Sequence, residues 1–286
     1  MAGGGPPQRF PFVQFEFAFP LGPADGRYVT RAEAGGEPER VVVLRTVGAP
    51  RRSRLRRHAR RVDGGADPES VPIVRASVIR LDPLGSADDA HRWLAGLAKD
   101  SDALEDAAAE AARELNAVLR AHRAAAADPN ARDVAPAGAT AVRIGFGSGD
   151  EVADGRFAEA RELPAPSARS RSRRRAEALR PDERLAALLG RREEALACEE
   201  LVLRARADVD AGRPREAALQ ARVAVEAALA ELGANADASE LASARDDVAL
   251  AANQALRGDP EPELQEKVAA AVAAIERALR RRRVGP

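Results

Sequence analysis

A glycine-rich sequence follows a predicted strand, which is where a phosphate-binding loop would lie. Residues 145–150 read Gly-Phe-Gly-Ser-Gly-Asp. A dinucleotide fingerprint needs a third glycine where Asp150 stands, and a Walker loop needs Lys followed by Ser or Thr. Asp150, Glu151 and Asp154 would repel phosphate, and no helix start is evident. The pattern therefore favours a structural turn, and an enzyme with a site at residues 145–154 is the less favoured alternative.

Histidine and cysteine offer little for catalysis or metal binding, because the chain has three histidines and one cysteine. His91 follows Asp88, and His122 lies two turns after Glu114, but the two histidines fall on different predicted helices. A site with two histidines and a carboxylate would need those helices to meet. Two glutamates follow Cys198 and raise its expected thiol pKa, which disfavours a nucleophilic role. We expect no catalytic residue, metal or cofactor, and favour a non-enzymatic protein.

The clustering of arginine is the strongest non-random feature of the sequence. The overall arginine content is less informative, because arginine outnumbers lysine 43 to 2, as a GC-rich bacterial genome would produce. Neutralising phosphates is the chemistry that such clusters offer. The candidate polyanion contacts are Arg51, Arg52, Arg54, Arg56, Arg57, Arg60, Arg61, Arg171, Arg173, Arg174, Arg175, Arg280, Arg281, Arg282 and Arg283. A formal net charge of zero and 3% aromatic residues argue against a nucleic-acid groove. Polyanion or nucleic-acid binding through residues 51–61, 169–175 and 277–283 is thus an alternative that we do not favour.

The N-terminal half has the pattern of an α+β domain with several mostly antiparallel strands and two helices. Large apolar residues at positions 13, 15, 17 and 19 alternate with Gln14, Glu16 and Ala18, so we expect them on one face of a strand. Ser86 is the expected N-cap of the first helix, and the second begins near Ser101. Further strands are predicted at residues 27–31, 40–47, 71–81 and 139–146.

The C-terminal half has no strand signals, and we expect an all-α helical bundle or paired helical hairpins. One helix is predicted from Pro181 to about residue 210, with residues 188 and 189 on its apolar face. The next begins at Pro214, with Leu219 inward. A capping box at residues 237–240 begins the third, and the fourth includes residues 264–279. Alanine on these faces permits close packing but buries little area, which predicts modest stability.

These patterns divide the chain into a flexible N-terminus at residues 1–9, an α+β domain at 10–162, a linker rich in Arg, Ser and Pro at 163–176, and a helical module at 177–286. The single cysteine excludes a disulfide framework, and no apolar stretch is long enough for a membrane span. The N-terminus lacks the pattern of a secretory signal, so we expect a bacterial cytoplasmic protein. The favoured function is assembly through the C-terminal helices, by self-association or with an unidentified protein partner.

Overall fold

The structure is a computed structural model that describes residues 8–31, 35–48, 72–163, 181–232 and 236–284. The chain forms two compact units, Met1–Ser167 and Ala168–Pro286. The first contains an antiparallel sheet with helices and the second contains helices, so the predicted fold class is confirmed. Residues 164–176 of the predicted linker and residues 1–7 lie outside the described residues.

Six strands form one antiparallel sheet in the order β2-β3-β4-β1-β5-β6. The strands are β1 Phe10–Phe17, β2 Gly26–Thr30, β3 Arg40–Val47, β4 Ile73–Arg80, β5 Ala141–Gly147 and β6 Glu159–Glu162. The longest predicted strands therefore form the centre of the sheet. Both edge strands are short and carry charged residues, which limits pairing with other chains.

Strand β1 is buried on both faces, which the alternating pattern did not predict. Phe15 and Phe17 pack on one face as expected. On the other face, Phe12 is buried and Gln14 donates a hydrogen bond to the Ser77 hydroxyl at 3.1 Å, which satisfies a buried polar group. Phe19 was expected on the same face as Phe15, but the strand ends at Phe17 and Phe19 is 44% exposed.

Helices cover the two faces of the sheet unequally. The helices of this unit are α1 Ala87–Leu97, α2 Ser101–Ala126 and the short α3 Gly149–Ala153. Ser86 caps α1 in a capping box with Asp89, as its position in the sequence predicted. Helix α2 buries Leu115 and Leu119 against the face of the sheet that carries Phe15, whereas α3 packs on the opposite face. The larger core of this unit therefore lies between the sheet and α2.

The second unit has five helices within its described residues, one more than predicted. They are α4 Pro181–Leu189, α5 Ala197–Asp210, α6 Pro214–Glu231, α7 Ala236–Ala255 and α8 Pro262–Val284. The prediction of one helix from Pro181 to about residue 210 was wrong. The chain turns at Gly190 and at Arg191, whose φ of 52° is left-handed, and residues 191–194 offer no apolar side chain to extend the stripe. Leu189, expected inward, is 77% exposed.

Candidate functional site

The two candidate metal-binding histidines lie in different surroundings. His91 is exposed on α1, where its Nε2 atom is 3.4 Å from a Glu159 carboxylate oxygen and its ring packs edge-on against Phe146. His122 lies on α2 beside Gly22, in the loop after β1. Within the described ranges, no group of three or more His, Cys, Asp or Glu side chains is placed to hold a metal ion. The geometry thus gives no support to a site with two histidines and a carboxylate.

The glycines of the 145–150 loop make room for neighbouring parts of the chain. A Cβ atom at Gly145 would lie 2.2 Å from the Glu159 carbonyl oxygen of β6, and one at Gly147 would lie 2.8 Å from Val152 Cγ2. A short helix does begin here, contrary to expectation, with Ser148 at its N-cap position. Its first turn carries two carboxylates, Asp150 and Glu151, as the sequence indicated. Close packing therefore accounts for the glycines at 145 and 147 without a bound phosphate.

Cys198 is fully buried at the start of α5. Burial, a hydrogen bond to Glu231 and the charge of Glu231 together raise the pKa of its thiol to about 12. A thiol with this pKa forms almost no thiolate at neutral pH, so it is a poor nucleophile. This environment agrees with the structural role expected for Cys198.

Two carboxylates close the N-terminal end of α5. Glu231, at the end of α6, accepts hydrogen bonds from the backbone N–H groups of Ala197 and Cys198 at 3.1 and 2.9 Å. The hydrogen bond from the Cys198 N–H is the main reason that the pKa of Glu231 is lowered. Glu199 accepts from the Leu196 N–H at 3.1 Å and from the Arg184 guanidinium at 2.7 and 2.8 Å. These contacts satisfy backbone donors that a helix start leaves unpaired.

Only one of the three arginine clusters lies within the residues that the structure describes. Residues 51–61 and 169–175 lie outside the described residues, so the candidate contacts there stay predictions. Residues 280–282 lie at the end of α8, where cations interact favourably with the helix dipole. Arg282 donates to the Glu231 carbonyl oxygen at 3.4 Å, which gives it a contact within the bundle. The side chain of Arg283 is outside the described part.

Helix α6 buries five alanines and Val225, and it exposes Leu219 and Val223. Leu219, expected inward, is 39% exposed, and Val223 one turn later is 52% exposed. Helix α6 packs against α5, α7 and α8, and small side chains allow that close approach on several sides. Its buried positions are Ala217, Ala218, Ala221, Ala224, Val225 and Ala228. The prediction for Leu219 was wrong, because the buried face of α6 consists of five alanines and Val225.

Helix α7 extends the apolar surface beside Leu219 and Val223. Arg245 of α7 binds the Glu226 carboxylate of α6 at 2.7 and 2.9 Å, and Arg215 of α6 donates to the Ala255 carbonyl oxygen at 2.9 Å. These ties run antiparallel and set residues 219–223 at the level of residues 248–251. Leu250 is 51% exposed at this level, and Leu256, which follows α7 near the Arg215 contact, is 67% exposed. We call Leu219, Val223, Leu250 and Leu256 the α6–α7 face.

No family model, curated protein or solved structure matches the chain. The function must therefore be argued from the surfaces of the molecule. Over the ranges that the structure describes, none of the helices is both long enough and apolar enough to cross a membrane. The α6–α7 face is a candidate surface for contact with another macromolecule, because its leucine and valine side chains are exposed.

Proposed function

We propose that the protein is a non-enzymatic assembly protein, and that the α6–α7 face of one copy binds the same face of a second copy. The supporting observation is the exposure of Leu219 and Val223 on α6, whose buried face consists of alanines and Val225. Covering a half-exposed leucine or valine contributes about 1 kcal/mol, half of the value for full burial. Four such residues on one face give association a driving force that scattered surface residues do not.

Charge favours a second copy as the occupant of this face. The rim of the α6–α7 face carries Arg215, Arg222 and Arg245 together with Glu216 and Glu226. A rim with both positive and negative charges can pair with itself across a two-fold axis. In such a dimer, a basic residue of one copy can face an acidic residue of the other. The 45 basic and 45 acidic residues of the chain give a formal net charge of zero, so no net repulsion opposes association.

The proposal extends to the compartment. A chain with one cysteine has no intrachain disulfide to form, and Cys198 is buried. This supports placing the assembly in a reducing compartment, the bacterial cytoplasm.

A double substitution tests the surface directly. Light scattering after size-exclusion chromatography of the full chain would give a dimer mass, and the variant Leu219→Glu/Val223→Glu would give a monomer mass. Leu203→Glu is the matched control, because Leu203 is 61% exposed on α5, which supplies none of the residues of the α6–α7 face. All variants should keep the circular dichroism spectrum of the parent, since the changed side chains are exposed.

Two outcomes would contradict this proposal. A monomer mass for the unmodified chain at every concentration would remove self-association altogether. Equal loss of dimer in the double variant and in Leu203→Glu would show that the α6–α7 face is not the specific contact.

A further inference from the structure

A cleft of about 230 Å³ opens in the first unit, between four strands of the sheet and helices α1 and α2. Nine of its twelve lining residues are apolar, and Trp93 of α1 is the largest of them. Clefts that bind drug-sized ligands have volumes of about 300–1,000 Å³. This smaller cleft therefore suits the side chain of a small metabolite. The lining is Pro11, Phe12, Val13, Arg40, Val78, Arg80, Trp93, Leu97, Ala107, Glu110, Ala111 and Ile144.

The mouth of the cleft carries charges of both signs. Arg40, Arg80 and Glu110 also line an adjoining open recess of about 580 Å³. Arg40 and Arg80 are directly opposite each other on β3 and β4. Like charges directly opposite each other destabilise a sheet. The arginine pair therefore indicates a role other than stabilising the fold.

The two arginines differ in how much of their charge is already balanced. Arg40 is bound by Glu114, with Nη1 to Oε1 at 2.6 Å, and by Glu110. Arg80 has Asp82 as its ion-pair partner at 3.5 Å, and both of these side chains are at least half exposed. Such exposed pairs contribute little, so the Arg80 guanidinium can exchange Asp82 for a ligand anion. Glu110 is 53% exposed beside it and offers negative charge at the same mouth.

We propose that this cleft binds a free α-amino acid with an apolar side chain, such as leucine or isoleucine. The side chain lies against Trp93 and Leu97 in the apolar base, the carboxylate pairs with Arg80, and the ammonium group pairs with Glu110. A zwitterion complements a mouth that carries both charges. A simple carboxylic acid would be repelled by Glu110, and a simple amine would be repelled by the arginines. This inference is independent of self-association, which involves the other unit.

The single tryptophan of the chain provides the test, because Trp93 lines the cleft and reports on it without a label. Titration of the full chain with L-leucine or L-isoleucine should give a saturable change in tryptophan fluorescence and matching heat by calorimetry. Glycine, 4-methylpentanoate and 3-methylbutylamine each lack one recognised group. They should bind at least about tenfold more weakly, because glycine loses the apolar contact and each of the other two loses one charged contact.

Substitution at the mouth separates specific binding from a general effect on tryptophan. Arg80→Gln should weaken leucine binding at least about tenfold, as loss of a charged hydrogen bond implies, while the melting temperature stays close to that of the parent. Arg92→Gln is the matched control, since Arg92 precedes Trp93, is exposed and does not line the cleft. The proposal is overturned if neither amino acid binds at about 10 mM, if the analogues bind as tightly as leucine, or if the two variants behave alike.

Discussion

Glu231 joins the end of α6 to the beginning of α5 through one carboxylate. Its two oxygens accept from the backbone N–H groups of Ala197 and Cys198, which the α5 sequence leaves without a Ser, Thr, Asp or Asn cap. No local pattern in the sequence indicates this contact, since the partners are 34 and 33 residues apart. A helix cap supplied by another helix depends on tertiary packing, and local sequence patterns do not predict tertiary packing.

Replacing Glu231 with Gln should destabilise the helical unit by about 1–2 kcal/mol, because a charged acceptor at a helix N-terminus becomes neutral. Urea denaturation followed by circular dichroism would measure the loss. Glu266→Gln is the control, since Glu266 is exposed on α8, and its free energy of unfolding should change by less than about 0.5 kcal/mol. Equal effects of both substitutions would refute a capping role for Glu231.

Glu16 binds two arginines on the face of the sheet opposite α2. Its carboxylate oxygen is 3.0 Å from guanidinium nitrogens of both Arg75 and Arg143. Burial alone would raise the pKa of Glu16, but the hydrogen bonds and charges of the arginines outweigh it and hold the pKa below 4.5. A carboxylate whose pKa is lowered on folding stabilises the protein above its unfolded pKa, and that stabilisation is lost as the pH falls through the folded pKa.

The difference in unfolding free energy between the parent and Glu16→Gln should therefore be largest near neutral pH. It should shrink as the pH falls below about 4.5, near the unfolded pKa of a glutamate. Urea titrations at several pH values, followed by Trp93 fluorescence, would measure it in the unit that contains both residues. A difference that stays constant with pH would show that the ionised form of Glu16 has no special stabilising role.

At the scale of elements, the sequence predicted best where local chemistry decides. The Ser86 N-cap of α1 and the start of α2 at Ser101 are confirmed, because capping acts within one turn of the chain. Helix α3 and strand β6 were missed, since four or five residues show no clear period. Leu219 of α6 was mispredicted because leucine was weighted above alanine, whereas the close approach of neighbouring helices favours small side chains on the buried face of α6.

Strand β6 depends on Gly145 more than its length suggests. Alanine at 145 would place a methyl group on the backbone of β6, so Gly145→Ala should cost about 1–3 kcal/mol, as overpacking does elsewhere. Gly138→Ala is the control, because a Cβ there has no atom within 4 Å. Urea denaturation followed by Trp93 fluorescence would measure both. A Gly145→Ala variant as stable as Gly138→Ala would contradict the packing role.

For the whole molecule, the α+β class followed by helices could be predicted, but its function could not. Fold class follows from the periodicity of apolar residues, which can be read directly from the sequence. The α6–α7 face combines residues from two helices and depends on which side of α6 is buried, and the cleft at Trp93 combines four strands and two helices. Sites of this kind exist only after the elements have packed, so the residues that form them carry no shared sequence signal.

Sedimentation equilibrium of the full chain tests the central claim most directly. Because isologous dimers are the commonest soluble assemblies, we expect the weight-average mass to rise with concentration from 30.3 kDa toward twice that value. High salt should leave a dimer held by apolar side chains largely intact. A mass that stays at 30.3 kDa up to about 100 μM would contradict the account, since a working assembly surface would bind at or below that concentration.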